Sequence, residues 1–205
     1  MRQRRPGAPE QYFAAEPSVA SAPTTVALDL PDVSFRLGAD RGVFSATAVD
    51  PGTKILLLQA PPPPGEGALL DLGCGYGPIA LTMAARSPAA QVWAIDVNER
   101  ARALCAANAE ANGLTNVTVA APDEVPTDLR FAAIWSNPPI RIGKAELHAL
   151  LVRWLDHLAP DGSATLVVQK HLGADSLARW LDEQGRATTR LTSRQGYRVL
   201  HVAPR

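Results

Sequence analysis

The stretch that most constrains the fold is "LLDLGCGYGPIALTMAA", Leu69 to Ala85. An apolar run ends at Leu72, and Gly73, Gly75 and Gly77 follow at alternate positions. Pro78 then opens a helical run. Glycines here permit positive φ and close backbone approach to a ligand. A strand, a glycine loop and a helix in that order open an α/β sheet, whose ligands lie at the carboxyl ends of the strands where the order reverses. The rest of the chain keeps the alternation. Strand-like runs cover Ala68–Leu72, Gln91–Ile95, Val117–Ala120, Phe131–Trp135 and Ala164–Val168, and helix-like runs cover Ile79–Arg86, Glu99–Asn112, Ala145–Leu158 and Asp175–Glu183. Two more strands, Ala187–Ser193 and Tyr197–Val202, flank a Gln195-Gly196 turn. The expectation is a doubly wound α/β fold: a mostly parallel, seven-stranded sheet with an antiparallel C-terminal edge hairpin.

Ahead of this lies a smaller unit. Thr25–Leu30 and Val33–Leu37 read as a β-hairpin, and Asp50-Pro51 reads as the cap and first residue of a helix. The domain division expected is a flexible tail over 1–24, a hairpin and helix over 25–60, a stiff proline-rich spacer "PPPPGEG" over 61–67, and the main domain over 68–205. The basic N-terminus lacks the apolar stretch of a signal peptide. No apolar run approaches the ~18 residues of a membrane span, so no membrane partner is expected. Cys74 and Cys105 lack redox or metal spacing, and the four histidines show none either. A cytoplasmic chain with free thiols and no metal is the expectation. Net charge is zero, but residues 136–205 carry ten basic and six acidic side chains, while 61–135 carry four and eight. The later segment therefore suits an anionic partner; chance segregation is the alternative.

Two details narrow the ligand. The spacing is G-x-G-x-G rather than the dinucleotide G-x-G-x-x-G, and Pro78 removes an N–H that a pyrophosphate would use. Asp96 closes the next strand, 19 residues past Gly77, where an acid can accept from ribose hydroxyls. A nucleoside without phosphate fits both. "DLGCGYG" and "AIDVN" resemble the first two motifs of class I S-adenosylmethionine methyltransferases, a Rossmann-like family. The resemblance implies that the loop of Gly73, Cys74, Gly75 and Gly77 cradles the methionine and ribose of S-adenosyl-L-methionine. It also implies that Asp71 meets the amino-acid end, Asp96 the ribose, Val97 the adenine and Asp123 the adenine amino group. An exposed loop carboxylate is the alternative for Asp123, and a helix cap is the reading of Asn98.

The second informative stretch is "IWSNPPIRIGK". Pro138 and Pro139 cannot donate to a ladder, so the fourth strand stops there. In this fold that end lies beside the glycine loop. Asn137 and the Pro138 carbonyl then form an acceptor pair for an amine whose lone pair must point at the donor methyl. Taken alone, the prolines read as a strand terminator. Ile140 stands where many amino-methylating relatives carry a stacking Tyr or Phe, so a base would need its aromatic platform elsewhere. The longer run from Asn137 to Leu181, with "QYFAAEPSV", "GVFSATAVDPGTKILL" and "QGYRVLHV", resembles the small-subunit ribosomal RNA guanine-N2 methyltransferases, especially single-domain relatives. That resemblance implies rRNA processing by methylation of a guanine amine, ribosomal RNA or a ribosomal subunit as partner, and Phe44 near the donor's methionine. A core aromatic is the alternative for Phe44. Arg141, Lys144, Lys170, Arg194 and Arg198 are candidate phosphate contacts or, each alone, solvated charges. Protein glutamine methylation, a small-molecule amine substrate, and a non-catalytic RNA-binding or ribosome-assembly module stay open as alternatives.

Overall fold

A computed structural model of the chain describes residues 19–205. The expected tail over 1–24 falls mostly on residues 1–18, outside that range. The expected hairpin forms as β1 (Thr24–Asp29) and β2 (Ser34–Ala39), paired antiparallel. Helix α1 (Pro51–Gln59) follows. Asp50 Oδ2 accepts from Thr53 N–H at 3.0 Å, and Pro51 takes the first helical position, where a missing N–H costs nothing.

The remaining elements are β3 (Ala68–Leu72), α2 (Pro78–Arg86), β4 (Gln91–Ile95), α3 (Glu99–Ala111), β5 (Val117–Ala120), β6 (Phe131–Ser136), α4 (Lys144–Leu155), β7 (Leu158–Gln169), α5 (Ala174–Glu183), β8 (Thr188–Arg194) and β9 (Tyr197–Val202). The sheet runs β5-β4-β3-β6-β7-β9-β8. The first five strands in that order are mutually parallel, and β9 pairs antiparallel with β7 and β8. This is the doubly wound sheet with an antiparallel C-terminal edge that the alternation predicts. The chain winds outward through β3, β4 and β5, then returns to place β6 beside β3. The order therefore reverses between β3 and β6.

Both faces of the sheet are covered, which is why its central strands are apolar on consecutive residues. Leu69 and Trp135 face a core shared with the hairpin, α1, α2 and α3. Leu70 and Ile134 face a second core under α4 and α5.

Two neighbouring boundaries differ from expectation. The helix expected to reach Leu158 stops at Leu155, and the strand expected from Ala164 begins as β7 at Leu158. Pro160-Asp161-Gly162 does not break this strand but is absorbed as an irregularity. Phe131 pairs with Leu158, while Ala133 pairs with Ser163. A Cβ on Gly162 would lie 2.7 Å from the Phe131 carbonyl oxygen, so the kink needs glycine. At the sheet margins, β5 has only four residues, and β8 is largely exposed with a register shift between Arg190 and Thr192. No helix among the described residues is long and apolar enough to cross a membrane.

Candidate active site

A cavity of about 490 Å³ opens at the carboxyl ends of β3, β4 and β6, where the strand order reverses. One wall is the glycine loop. Gly73 and Gly75 adopt φ of 79° and 55°, and a Cβ on either would meet nothing within 4 Å. The requirement for glycine there is conformational, and the space above the loop is open. The amides of Gly73 and Cys74 both donate to the Ile95 carbonyl at 2.9 Å, tying the loop to β4. Gly77 has a different task. Its Cβ would lie 2.8 Å from Cys105 Sγ and Leu81 Cδ1, so it lets α2 pack against α3, and it lies outside the cavity lining. Cys74 is a buried lining residue, whereas Cys105 is core.

Two carboxylates serve this wall. Asp96 lines the cavity, taking Gly75 N–H on Oδ2 and Asn98 N–H on Oδ1, both at 2.9 Å. Burial raises its carboxyl above the usual range against these two donors. Asp71 is fully buried and outside the lining. Its Oδ2 accepts from Ala80 N–H at 2.9 Å, and its Oδ1 has no partner among the described residues. Burial, with the Asp96 charge adding to it, pushes Asp71 up to about 8. Val97 and Phe44 line the cavity and are 45% and 47% exposed, as rim residues are. Asp123 is exposed and outside the lining; its neighbour Pro122 lines the cavity instead.

The facing wall holds Asn137, Pro138, Pro139 and Ile140. Asn137 Nδ2 donates to Asp50 Oδ2 at 2.9 Å and to Thr53 Oγ1 at 3.0 Å. An ionised carboxylate only accepts, so this pairing fixes which end of the amide is nitrogen. Asn137 Oδ1 accepts from no described residue. Pro139 has φ −75° and ψ 73°, an inverse γ-turn, and Ile140 N–H donates to the Pro138 carbonyl at 2.8 Å. That carbonyl thus has a local partner the sequence does not announce, with its second lone pair left over.

Several lining residues escape sequence reasoning. Asp50 reads only as a helix cap, and Thr53 carries no reading of its own. Tyr76 is buried with no partner for its hydroxyl among the described residues, and burial plus the Asp50 charge raise its ionisation. Tyr197 lines the cavity from β9, and its hydroxyl accepts from Gln169 Nε2 at 2.8 Å. A Cβ on Gly52 would lie 2.6 Å from the Tyr197 ring and 2.8 Å from Asp50 Oδ2, so glycine lets these side chains crowd together. The only signal for this grouping is that "GVFSATAVDPGTKILL" and "QGYRVLHV" both belong to the resemblance above.

Of the basic candidates, Arg141 lines the cavity, while Lys144, Lys170 and Arg194 are exposed outside the lining. Arg198 pairs with Asp175 at 2.9 Å, which offsets its charge. No cluster of residues suited to a metal occurs among the described residues.

Three comparisons bear on this site. The family model "Methyltransferase small domain" matches residues 34–201. An uncharacterized Bacillus subtilis protein, YbxB, is 39% identical over 194 residues, covering 93% of this chain and 96% of that protein. Ribosomal RNA small subunit methyltransferase C is 31% identical in Shewanella amazonensis, over 83% of this chain and 51% of the relative. In Pseudomonas aeruginosa it is 35% identical, over 78% and 52%. The chain thus spans about half the length of these methyltransferase C relatives. Among solved structures, the Thermus thermophilus 16S rRNA N2 G1207 methyltransferase, in complex with AdoMet and guanosine, superposes with a TM-score of 0.75. It is 26% identical, over 92% of this chain and 52% of that one.

Proposed function

The chain belongs to the methyltransferase small domain family, and from that premise we propose that it methylates the exocyclic N2 amine of a guanine in ribosomal RNA. S-adenosylmethionine is the methyl donor, and the residues present fit it. The open glycine cradle leaves room for its backbone and ribose. Asp71, two residues before Gly73, keeps an Oδ1 with no described partner, and Asp96 lines the cavity with only one backbone donor on each oxygen. When bound, the donor supplies an electrophilic methyl carbon on a sulfonium.

The observation that carries the reading is the tether on Asn137. Two acceptors hold its Nδ2, so the amide is fixed before any substrate arrives, with Oδ1 the end left without a described partner. An exocyclic amine conjugated to a purine ring is a weak nucleophile. Asn137 Oδ1 and the spare lone pair of Pro138 would accept its two hydrogens. That turns the nitrogen lone pair toward the cradle wall and stabilises positive charge developing on nitrogen. The turn at Pro139 and the tether of Asn137 keep both carbonyls in place, so little reorganisation is needed during transfer. Arg141 at the rim supports an RNA phosphate nearby.

The test is tritiated methyl transfer to ribosomal RNA, to small subunits and to release factors, followed by nucleoside and amino-acid analysis. N2-methylguanosine from RNA or subunits is the expected product. Label appearing only in glutamine, or in no macromolecule, overturns the reading.

A further inference from the structure

The corner around Asn137 contains one more acceptor than amine alignment requires. Asp50 Oδ2 is occupied by Thr53 N–H and Asn137 Nδ2, but Oδ1 accepts from no described residue. Asp50 is only half-buried, and it lines the same cavity beside Asn137. Asp50 Oδ1, Asn137 Oδ1 and the second lone pair of the Pro138 carbonyl are therefore acceptors left without a described partner on residues that line one cavity. Two nitrogen donors of this corner are already used, Asn137 Nδ2 on Asp50 and Thr53, and Ile140 N–H on Pro138, while the hydroxyls of Thr53 and Tyr76 have no acceptor among the described residues.

These three acceptors select a ligand edge that carries donors. Guanine offers three adjacent hydrogens on one edge, N1–H and the two on N2. Adenine and 2-aminopurine present a bare N1 lone pair beside their amine, and a glutamine amide presents its carbonyl oxygen. Each would set a lone pair against a carboxylate. Resting on the guanine-N2 reading above, we infer that Asp50 Oδ1 accepts the guanine N1–H and is the specificity-determining residue that distinguishes guanine from other amine-bearing groups. The helix cap and the Asn137 tether occupy one oxygen, and base reading falls to the other.

The experiment uses small-subunit RNA joined by splinted ligation, with guanine or 2-aminopurine at the methylated position. Both bases carry the same 2-amino group, and they differ at N1 and C6. The wild-type chain should methylate guanine faster by about tenfold to a hundredfold, the range for a hydrogen bond to a charged acceptor. Asp50→Asn keeps an oxygen for Thr53 and Asn137 but turns a donor toward N1. It should favour 2-aminopurine, and comparing the two ratios cancels the intrinsic reactivity of each base. Equal wild-type rates on the two bases overturn the inference without any variant. An unchanged ratio in folded Asp50→Asn overturns it as well. Failure of the wild-type chain to form any N2-methylguanosine removes the guanine-N2 reading and this inference together. N2-methylguanosine formed with a flat ratio removes the inference alone.

Discussion

The two walls of the cavity are built differently. The glycine-loop wall comes from consecutive residues, 71–78, steadied by Asp96 one strand away, and it works through backbone conformation and open space. The Asn137 wall is assembled from distant segments. Its hydrogen bonds to Asp50 and Thr53 span 87 and 84 residues. The first wall can be copied between proteins as a short motif. The second depends on the hairpin, α1 and the sheet arriving together, so it can change while the glycine loop stays the same.

That contrast can be broken from either side. The largest effect is expected at Asn137. Asn137→Ala removes a preorganised acceptor and should cut the single-turnover rate about a hundredfold or more. Donor affinity and melting temperature should barely move. If the prolines and Asn137 only terminate a strand, the melting temperature falls instead and turnover per folded molecule is preserved. Asp96→Ala acts on the other wall. If Asp96 accepts from the ribose as proposed, the loss is on the order of 2 kcal/mol, or about thirtyfold in donor affinity by calorimetry. Because Asp96 also holds Gly75 and Asn98, its melting temperature should drop as well. Unchanged affinity in a folded variant would remove its role.

Thr53→Val tests the tether itself. One of two bonds to Asn137 Nδ2 is lost while the Asp50 cap survives. A rate loss of roughly tenfold, with donor affinity unchanged, is expected. A full rate would mean that Asp50 alone orients the amide. The smallest effect concerns Asp71 and proton linkage. Its folded-state value is raised to about 8, while the unfolded chain releases the proton near ~3.9. Between those values the folded state holds the extra proton, so this group's stabilisation is complete below the lower value and lost as pH rises through the upper one. The donor-free chain should melt about a few degrees higher near pH 5.5 than near pH 8.5 through this term. Asp71→Asn should flatten that difference, and an equal slope in both proteins would refute it.

Much of the fold was legible because its signals are local. The alternation of apolar runs, the glycines and the Asp50-Pro51 cap each act within a few residues, and most element ends agree closely with the structure. The bulge in β7 was not legible, since Pro160-Asp161-Gly162 ordinarily marks a turn and only pairing with Phe131 shows otherwise. The site divides in the same way. Gly73, Gly75 and Asp96 were readable from spacing. Gly77 shares that spacing, yet its close neighbours are Cys105 and Leu81, which no local pattern reveals. Asp50 was correctly read as a cap, but one side chain can satisfy a helix end and face a cavity at once. Its second task depends on contacts more than eighty residues away.

The margin of the sheet at β8 has a consequence for the crowded life of the molecule. An outermost strand offers unpaired amides and carbonyls on which another chain could extend the ladder. Here that rim carries exposed Arg190 and Arg194 and is kinked between Arg190 and Thr192, with Leu191 as its one large exposed apolar side chain. Like charges facing one another across two such rims would repel, and the kink spoils a straight docking edge. The sheet therefore ends in a margin that discourages fibre-like growth through β8.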